Sequence, residues 1–218
     1  MTWDSGLPPD GLPPDGLPPD DEDLDDEDQD LAASFRPVPG GAAAFFERAQ
    51  ADVIRSLVSQ IAELVSADST AAEAAEADAA DSLEIQLGLS THSGPPEDPV
   101  LARLLPDGYA DDPESSAEFR RYTEESLRSA KVASAEAVLA SLPPTGGEVR
   151  LSEPECQQWL RALNDVRLAL SVRLGITDEN EDLTERLTVG DPRSAYIWVY
   201  QWLAYLQDSL IEAVSGPS

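Results

Sequence analysis

The sequence predicts a mainly α fold: an irregular bundle of about four long helices plus short helices, a minor two-stranded pairing and a disordered acidic amino-terminal tail. Three observations carry that prediction. Apolar residues recur at helical spacing in four long stretches, and caps, prolines and glycines punctuate those stretches. Residues 6–20 are three consecutive copies of Gly-Leu-Pro-Pro-Asp, followed by the acidic run from Asp21 to Asp30. The expected organisation is a tail over residues 1–34 and a single helical domain over residues 35–218.

Prolines hold the tail locally extended, like charges swell it, and it has too little apolar surface to offset the entropy of ordering. Two readings stay open for it: a solubilising segment, or an acidic arm that steers or competes for a basic partner. The first helix is expected from about Ala42 to Ser66, where Phe46, Val53, Leu57, Ile61 and Leu64 share a stripe. Ala67 to Ala80 lacks a large apolar residue and reads as mobile rather than as an extension of that helix. A short apolar patch, Leu83 to Leu89, then runs into a loop containing His92.

Pro99 to Leu105 forms a short helix ended by Pro106-Asp107-Gly108, and Asp112-Pro113 caps a long helix reaching about Leu142. Small residues on one face of that helix, Ser126, Ala130, Ala133 and Ala137 with Phe119, suggest close approach of a neighbour. Glu148 to Leu151 makes a short strand beside Phe35 to Val38. Ser152 and Glu155 form a capping box for a third long helix, about Glu153 to Gly175, with Trp159, Leu163, Val166, Leu170 and Leu174 on one stripe. An acidic loop through Asp178 to Asp191 precedes a fourth helix begun by Pro192. This helix carries Tyr196, Val199, Leu203, Leu206 and Leu210, and a second stripe of Trp198, Trp202 and Tyr205. Its apolar arc exceeds what one neighbour buries, so the helix is either central or offers an aromatic contact surface.

Charge narrows the function classes. The chain has 43 Asp and Glu against 14 Lys and Arg. Such a body repels phosphate backbones, so no direct nucleic-acid binding is expected. No apolar run approaches the roughly 20 residues needed to span a bilayer, so no membrane role is expected either. The amino terminus does not resemble a secretory signal, which makes the cytoplasm the expected compartment.

His92 is the sole histidine and Cys156 the sole cysteine, which removes Ser-His-Asp, Cys-His and multi-histidine or multi-cysteine metal arrangements. No phosphate-binding loop or dinucleotide fingerprint is present. The expectation is therefore a protein that is not an enzyme, with no cofactor, no metal and no catalytic residue.

Arg167 falls about 40° from Leu163 on the apolar stripe of the third helix, so its charge must be paired or hydrogen-bonded. An internal partner from another helix is one reading, helped by Asn164 or a tyrosine of the last helix. An anion on a ligand or partner is the other. Arg167, Asn164 and Asp165, together with Trp198, Trp202 and Tyr205, form the candidate partner-binding set. Cys156 lies near a helix start whose dipole favours thiolate, while Glu153 and Glu155 oppose it, so the two influences roughly cancel. A buried inert thiol and a redox-active thiol both stay open.

Three stretches carry a family resemblance. They are Asp98-Pro99 through Arg103-Leu104-Leu105-Pro106-Asp107-Gly108-Tyr109, then Trp159-Leu160 through Leu163-Asn164-Asp165-Val166-Arg167-Leu168-Ala169-Leu170, and Val199-Tyr200-Gln201-Trp202-Leu203-Ala204-Tyr205-Leu206-Gln207. In order and spacing they resemble an actinobacterial domain-of-unknown-function family that includes the oxidative stress regulator AosR, over roughly residues 35–214. The resemblance implies a mainly helical cytoplasmic regulator that modulates transcription through a protein partner, an extracytoplasmic-function sigma factor, without reading DNA. An intramolecular cysteine switch cannot operate with Cys156 alone. The alternative is a helical structural or adaptor module of unknown function, as a homodimer.

Overall fold

The computed structural model describes residues 33–77, 95–109, 111–176 and 193–216, with the backbone alone for residues 68–77. Chain order is β1 (Arg36–Val38), β2 (Gly41–Phe46), α1 (Arg48–Ala77), α2 (Pro99–Leu104), α3 (Pro113–Ser141), β3 (Gly147–Ser152), α4 (Glu153–Leu174) and α5 (Ser194–Ser215). Four long helices and one short one are thus present among the described residues, as the periodicity predicts. Residues 1–32 of the expected tail, Leu83 to Leu89, His92 and the acidic stretch through Pro192 lie outside the described residues, while Ala33, expected in the tail, is buried in the core.

The sheet corrects two expectations. Ala42 to Phe46 is strand rather than the start of the first helix, and β3 pairs with this strand rather than with Phe35 to Val38. The order is β1-β2-β3, antiparallel throughout, with Val38 opposite Gly41 and Ala43 opposite both Arg36 and Arg150. Pro39 and Gly40 close the hairpin, Gly40 at φ +80°, as a turn with proline first and glycine second prefers. Gly41 is required by close approach, because a Cβ there would collide with the Leu151 carbonyl oxygen. Ala42, Ala44 and Phe46 are buried on one face of the strand, Ala43 is buried on the other, and Phe45 is exposed.

α1 starts at Arg48, and its buried residues are Ala51, Ile54, Val58, Ile61 and Val65, while Val53, Leu57 and Leu64 are only half-buried. The inward stripe is therefore rotated from the expected one. The helix also continues through Ala77, against the expectation of a mobile segment, in keeping with the high helix propensity of Ala and Glu.

The caps predicted at Asp112, Ser152 and Gly175 form, and Asp98 supplies a further one. Asp98 Oδ1 accepts from the Val100 and Leu101 N–H groups at 2.7 and 3.1 Å, ahead of Pro99 at the start of α2. Asp112 Oδ1 accepts from Ser115 N at 3.1 Å at the start of α3. The Glu155 carboxylate accepts from Ser152 N at 2.8 Å and from Ser152 Oγ at 2.6 Å at the start of α4. Gly175 ends α4 at φ +66°.

α4 is the central element, packed against α1, α2, α3, α5 and the sheet. Trp159, Leu163, Val166 and Leu170 are buried as predicted, and Leu174 is half-buried. Under the sheet, Trp159 stacks on Phe46 with centroids 5.8 Å apart, and Phe35 meets both rings edge-on. Trp159 Nε1 donates to Ser141 Oγ at 2.8 Å, which satisfies the one polar atom of the largest buried side chain.

α3 reverses the expected face. Phe119, Ser126, Ala130 and Ala133 are exposed, whereas Ser116, Arg120, Arg128, Ser134, Ala135 and Val138 are buried. The small-residue stripe is thus solvated, and the inward face is largely polar.

Candidate protein-contact site

Helix α5 has a face with more apolar surface than the described residues cover. Leu203, Leu206 and Leu210 are buried against the bundle, but Tyr196, expected on that stripe, is exposed. One side of the helix packs on the sheet, where Ser209 Oγ accepts from Phe35 N at 3.0 Å and donates to the Leu206 carbonyl at 2.8 Å. The second stripe runs along the margin of that contact. Trp202 is 5% exposed, while Trp198 is 62% and Tyr205 44% exposed. The Trp198 ring lies over Trp202, centroids 6.1 Å apart and planes 12° off parallel. The result is a buried indole backing an exposed one, with a phenol two turns along. Trp202 Nε1 is buried with no acceptor among the described residues.

Arg167 turns toward α5 on the far side of that helix. Its Nη1 donates to Gln207 Oε1 at 2.7 Å, and its guanidinium lies 5.4 Å from the centroid of the Tyr200 ring. At 3.6 residues per turn, Tyr200 and Gln207 stand about 160° around α5 from Trp198 and Tyr205. Arg167 is therefore held by another helix, through a tyrosine and a neutral carbonyl. Among the described residues no carboxylate pairs with it, and its buried Nε has no acceptor.

Asp165 and Asn164 point elsewhere. Asp165 is buried against α3, where Lys131 Nζ meets its Oδ1 at 2.6 Å. Burial pushes its carboxyl above the ordinary range, and the Lys131 ammonium works in the opposite direction. Asn164 is exposed. The structure does not gather Arg167, Asn164 and Asp165 into one polar pocket.

Cys156 is fully buried, with Sγ 3.9 Å from the Leu151 carbonyl. Its pKa is raised, chiefly by burial and further by Glu155 and Glu153, against a hydrogen bond from the Ala42 backbone. The expected near-cancellation thus gives way to desolvation, which disfavours thiolate.

A second charged cluster was not anticipated from the sequence. Glu124 binds two arginines on α3: Arg120 Nη1 at 2.8 Å and Arg128 Nη2 at 2.6 Å. Arg120 also reaches Asp107 at 2.6 Å and the Leu105 carbonyl at 3.3 Å, while Arg128 reaches the Val65 carbonyl at 3.1 Å. Burial opposes the charge on Arg120, and its bonds to Glu124 and Asp107 outweigh that, leaving its pKa raised. The Arg-Glu-Arg spacing of four and four is the signal that would have found it.

Among the described residues no group of His, Cys, Asp and Glu could hold a metal ion, and no helix is long and apolar enough to cross a membrane.

A family model described as a domain of unknown function, DUF2017, matches residues 32–214. Proteins named oxidative stress regulator AosR from Mycobacterium bovis and Mycobacterium tuberculosis are each 37% identical over 150 residues, covering 62% of this chain and 67% of the relative. No solved structure matches.

Proposed function

This chain belongs to the DUF2017 family, and on that premise we propose that it is a cytoplasmic regulator of the oxidative stress response that acts by binding another protein. The partner is a stress-response sigma factor of the extracytoplasmic-function class, and transcription is modulated without contact to DNA. The kinship to proteins named oxidative stress regulators supports the regulatory role. The observation that carries the contact is the exposure of Trp198 and Tyr205 over a buried Trp202. Aromatic side chains held rigidly at a surface are the commonest anchors of protein interfaces, because they bury much area at little conformational cost.

Charge supports the same reading. An excess of carboxylates, 43 against 14 bases, steers a basic protein surface and repels a phosphate backbone. The protein is not an enzyme in this reading. Oxidative input does not pass through Cys156, whose burial suppresses the reactive thiolate.

Purified full chain titrated with purified extracytoplasmic-function sigma factors from the same genome tests the proposal. Replacing Trp198 and Tyr205 together by Ala is expected to weaken binding at least about tenfold. Unchanged affinity in that variant removes the contact surface, and no binding to any such factor removes the partner class. If light scattering instead finds a homodimer that the same variant dissolves, the structural or adaptor reading takes its place.

A further inference from the structure

Two buried indoles differ in how the fold treats their one polar atom. Trp159, fully enclosed, donates its Nε1 hydrogen to Ser141 Oγ at 2.8 Å. Trp202 is almost as deeply buried, yet its Nε1 has no acceptor among the described residues. A buried donor left unpaired loses its hydration with nothing in its place, so nearly all such groups in folded proteins have a partner. The exception falls on the helix that carries the proposed contact.

The two ends of the stripe around Trp202 also differ. At spacings of four, three and four residues, Trp198, Trp202, Tyr205 and Ser209 share one face of α5. At the carboxyl-terminal end the polar group is satisfied: Ser209 Oγ is buried, accepts from Phe35 N at 3.0 Å and donates to the Leu206 carbonyl at 2.8 Å. At the amino-terminal end the Trp198 ring lies over Trp202 and is itself largely exposed. Rotation of so exposed a ring about its side-chain bonds uncovers the indole beneath it without displacing the core.

Resting on the protein-contact reading above, we propose that the partner completes this stripe with a neutral oxygen: a main-chain carbonyl of the bound segment accepts from Trp202 Nε1 once the Trp198 ring has turned outward onto the partner. An indole N–H has one hydrogen to give and no lone pair to receive with, so the incoming group is an acceptor. A carbonyl fits better than a carboxylate, because a chain with 43 acidic residues against 14 basic ones disfavours a further anion. The partner is then selected by an oxygen at a defined place on α5 as well as by a basic surface.

The test uses the full chain labelled with 15N at its indole nitrogens and the sigma factor that binds in the titration above, with Trp202→Phe to assign the Trp202 signal. In the free chain, Trp198→Ala is expected to speed solvent exchange of the Trp202 Nε1 hydrogen at least about tenfold, because the covering ring is gone. At saturation with the sigma factor, the Trp202 signal is expected to move downfield, as that of a newly bonded donor does, while the Trp159 signal stays in place. Trp202→benzothienylalanine, which keeps the ring shape and puts sulfur where the N–H was, is expected to weaken binding about tenfold without lowering the unfolding midpoint. Unchanged exchange in Trp198→Ala, or a bound sigma factor that leaves the Trp202 signal unmoved, overturns this proposal while the contact surface stands. Absence of binding by every such factor removes the protein-contact reading itself, and this proposal with it.

Discussion

Helix α3 turns charges inward, and helix α5 turns aromatic rings outward. Each departs from the usual sorting of side chains, but in opposite ways. On α3, Arg120, Glu124 and Arg128 are largely buried and linked to one another, to Asp107 and to the Leu105 and Val65 carbonyls. On α5, Trp198 and Tyr205 are exposed among the described residues, and the Trp198 ring is backed by Trp202. A buried charge persists when its partners offset desolvation, so the α3 cluster is explained within the fold. Exposed aromatic surface has no such partner among the described residues; α3 also exposes Phe119 and Tyr122, and the stacking of Trp198 on the buried Trp202 is what places the proposed contact on α5.

The largest effect expected from breaking this contrast is at Glu124. Glu124→Ala leaves two buried guanidinium groups short of a carboxylate and is expected to cost about 3–5 kcal/mol of stability in urea unfolding. A loss of under about 1 kcal/mol, the scale of a surface ion pair, would mean that the cluster is not structural.

Arg167→Met comes next. It removes one hydrogen bond to Gln207 and the contact with Tyr200, at a cost of about 1–2 kcal/mol. Loss of partner binding at unchanged stability would instead reassign Arg167 to recognition.

Asp165 contributes a smaller effect, with a definite sign. Its folded pKa lies above the ordinary 3.8, mainly through burial. The stability that this group contributes is therefore present in full below its unfolded pKa and lost as pH rises through the folded value. Comparing urea midpoints of the protein and of Asp165→Asn between about pH 4 and about pH 7 isolates this group. The midpoint of the unaltered chain, relative to the variant, is expected to fall as pH rises; a relative rise would show that Lys131 outweighs burial. The smallest change is at Trp198, where replacement by Ala is expected to alter stability by no more than about 0.5 kcal/mol while weakening partner binding.

Much of the framework was legible because it depends on local chemistry. The caps at Asp112 and Ser152, the stop at Gly175 and the buried stripe from Trp159 to Leu170 all lie where residue type and spacing place them. The strand Gly41–Phe46 was misread as helix because Ala42, Ala43 and Ala44 are apolar on both faces and carry no period. Pro39-Gly40 was the available turn signal. On α3, a wheel of small residues indicated the wrong face, since Arg120 and Arg128 look like solvated surface until Glu124, Asp107 and two backbone carbonyls are brought to them. The aromatic margin of α5 was visible as a stripe, but not its division into a buried Trp202 and exposed Trp198 and Tyr205.

By itself the sequence determined the helical class, the caps that open α3 and α4, the acidic character and the presence of a single histidine and a single cysteine. These follow from backbone hydrogen bonding, periodicity and composition, which act within a few residues or over the chain as a sum. The tertiary structure alone decided which half of each amphipathic arc is covered, which charges are paired inside, and where Arg167, Asp165 and Cys156 point. Burial is a relation between elements distant in sequence, and no local pattern specifies which neighbour arrives.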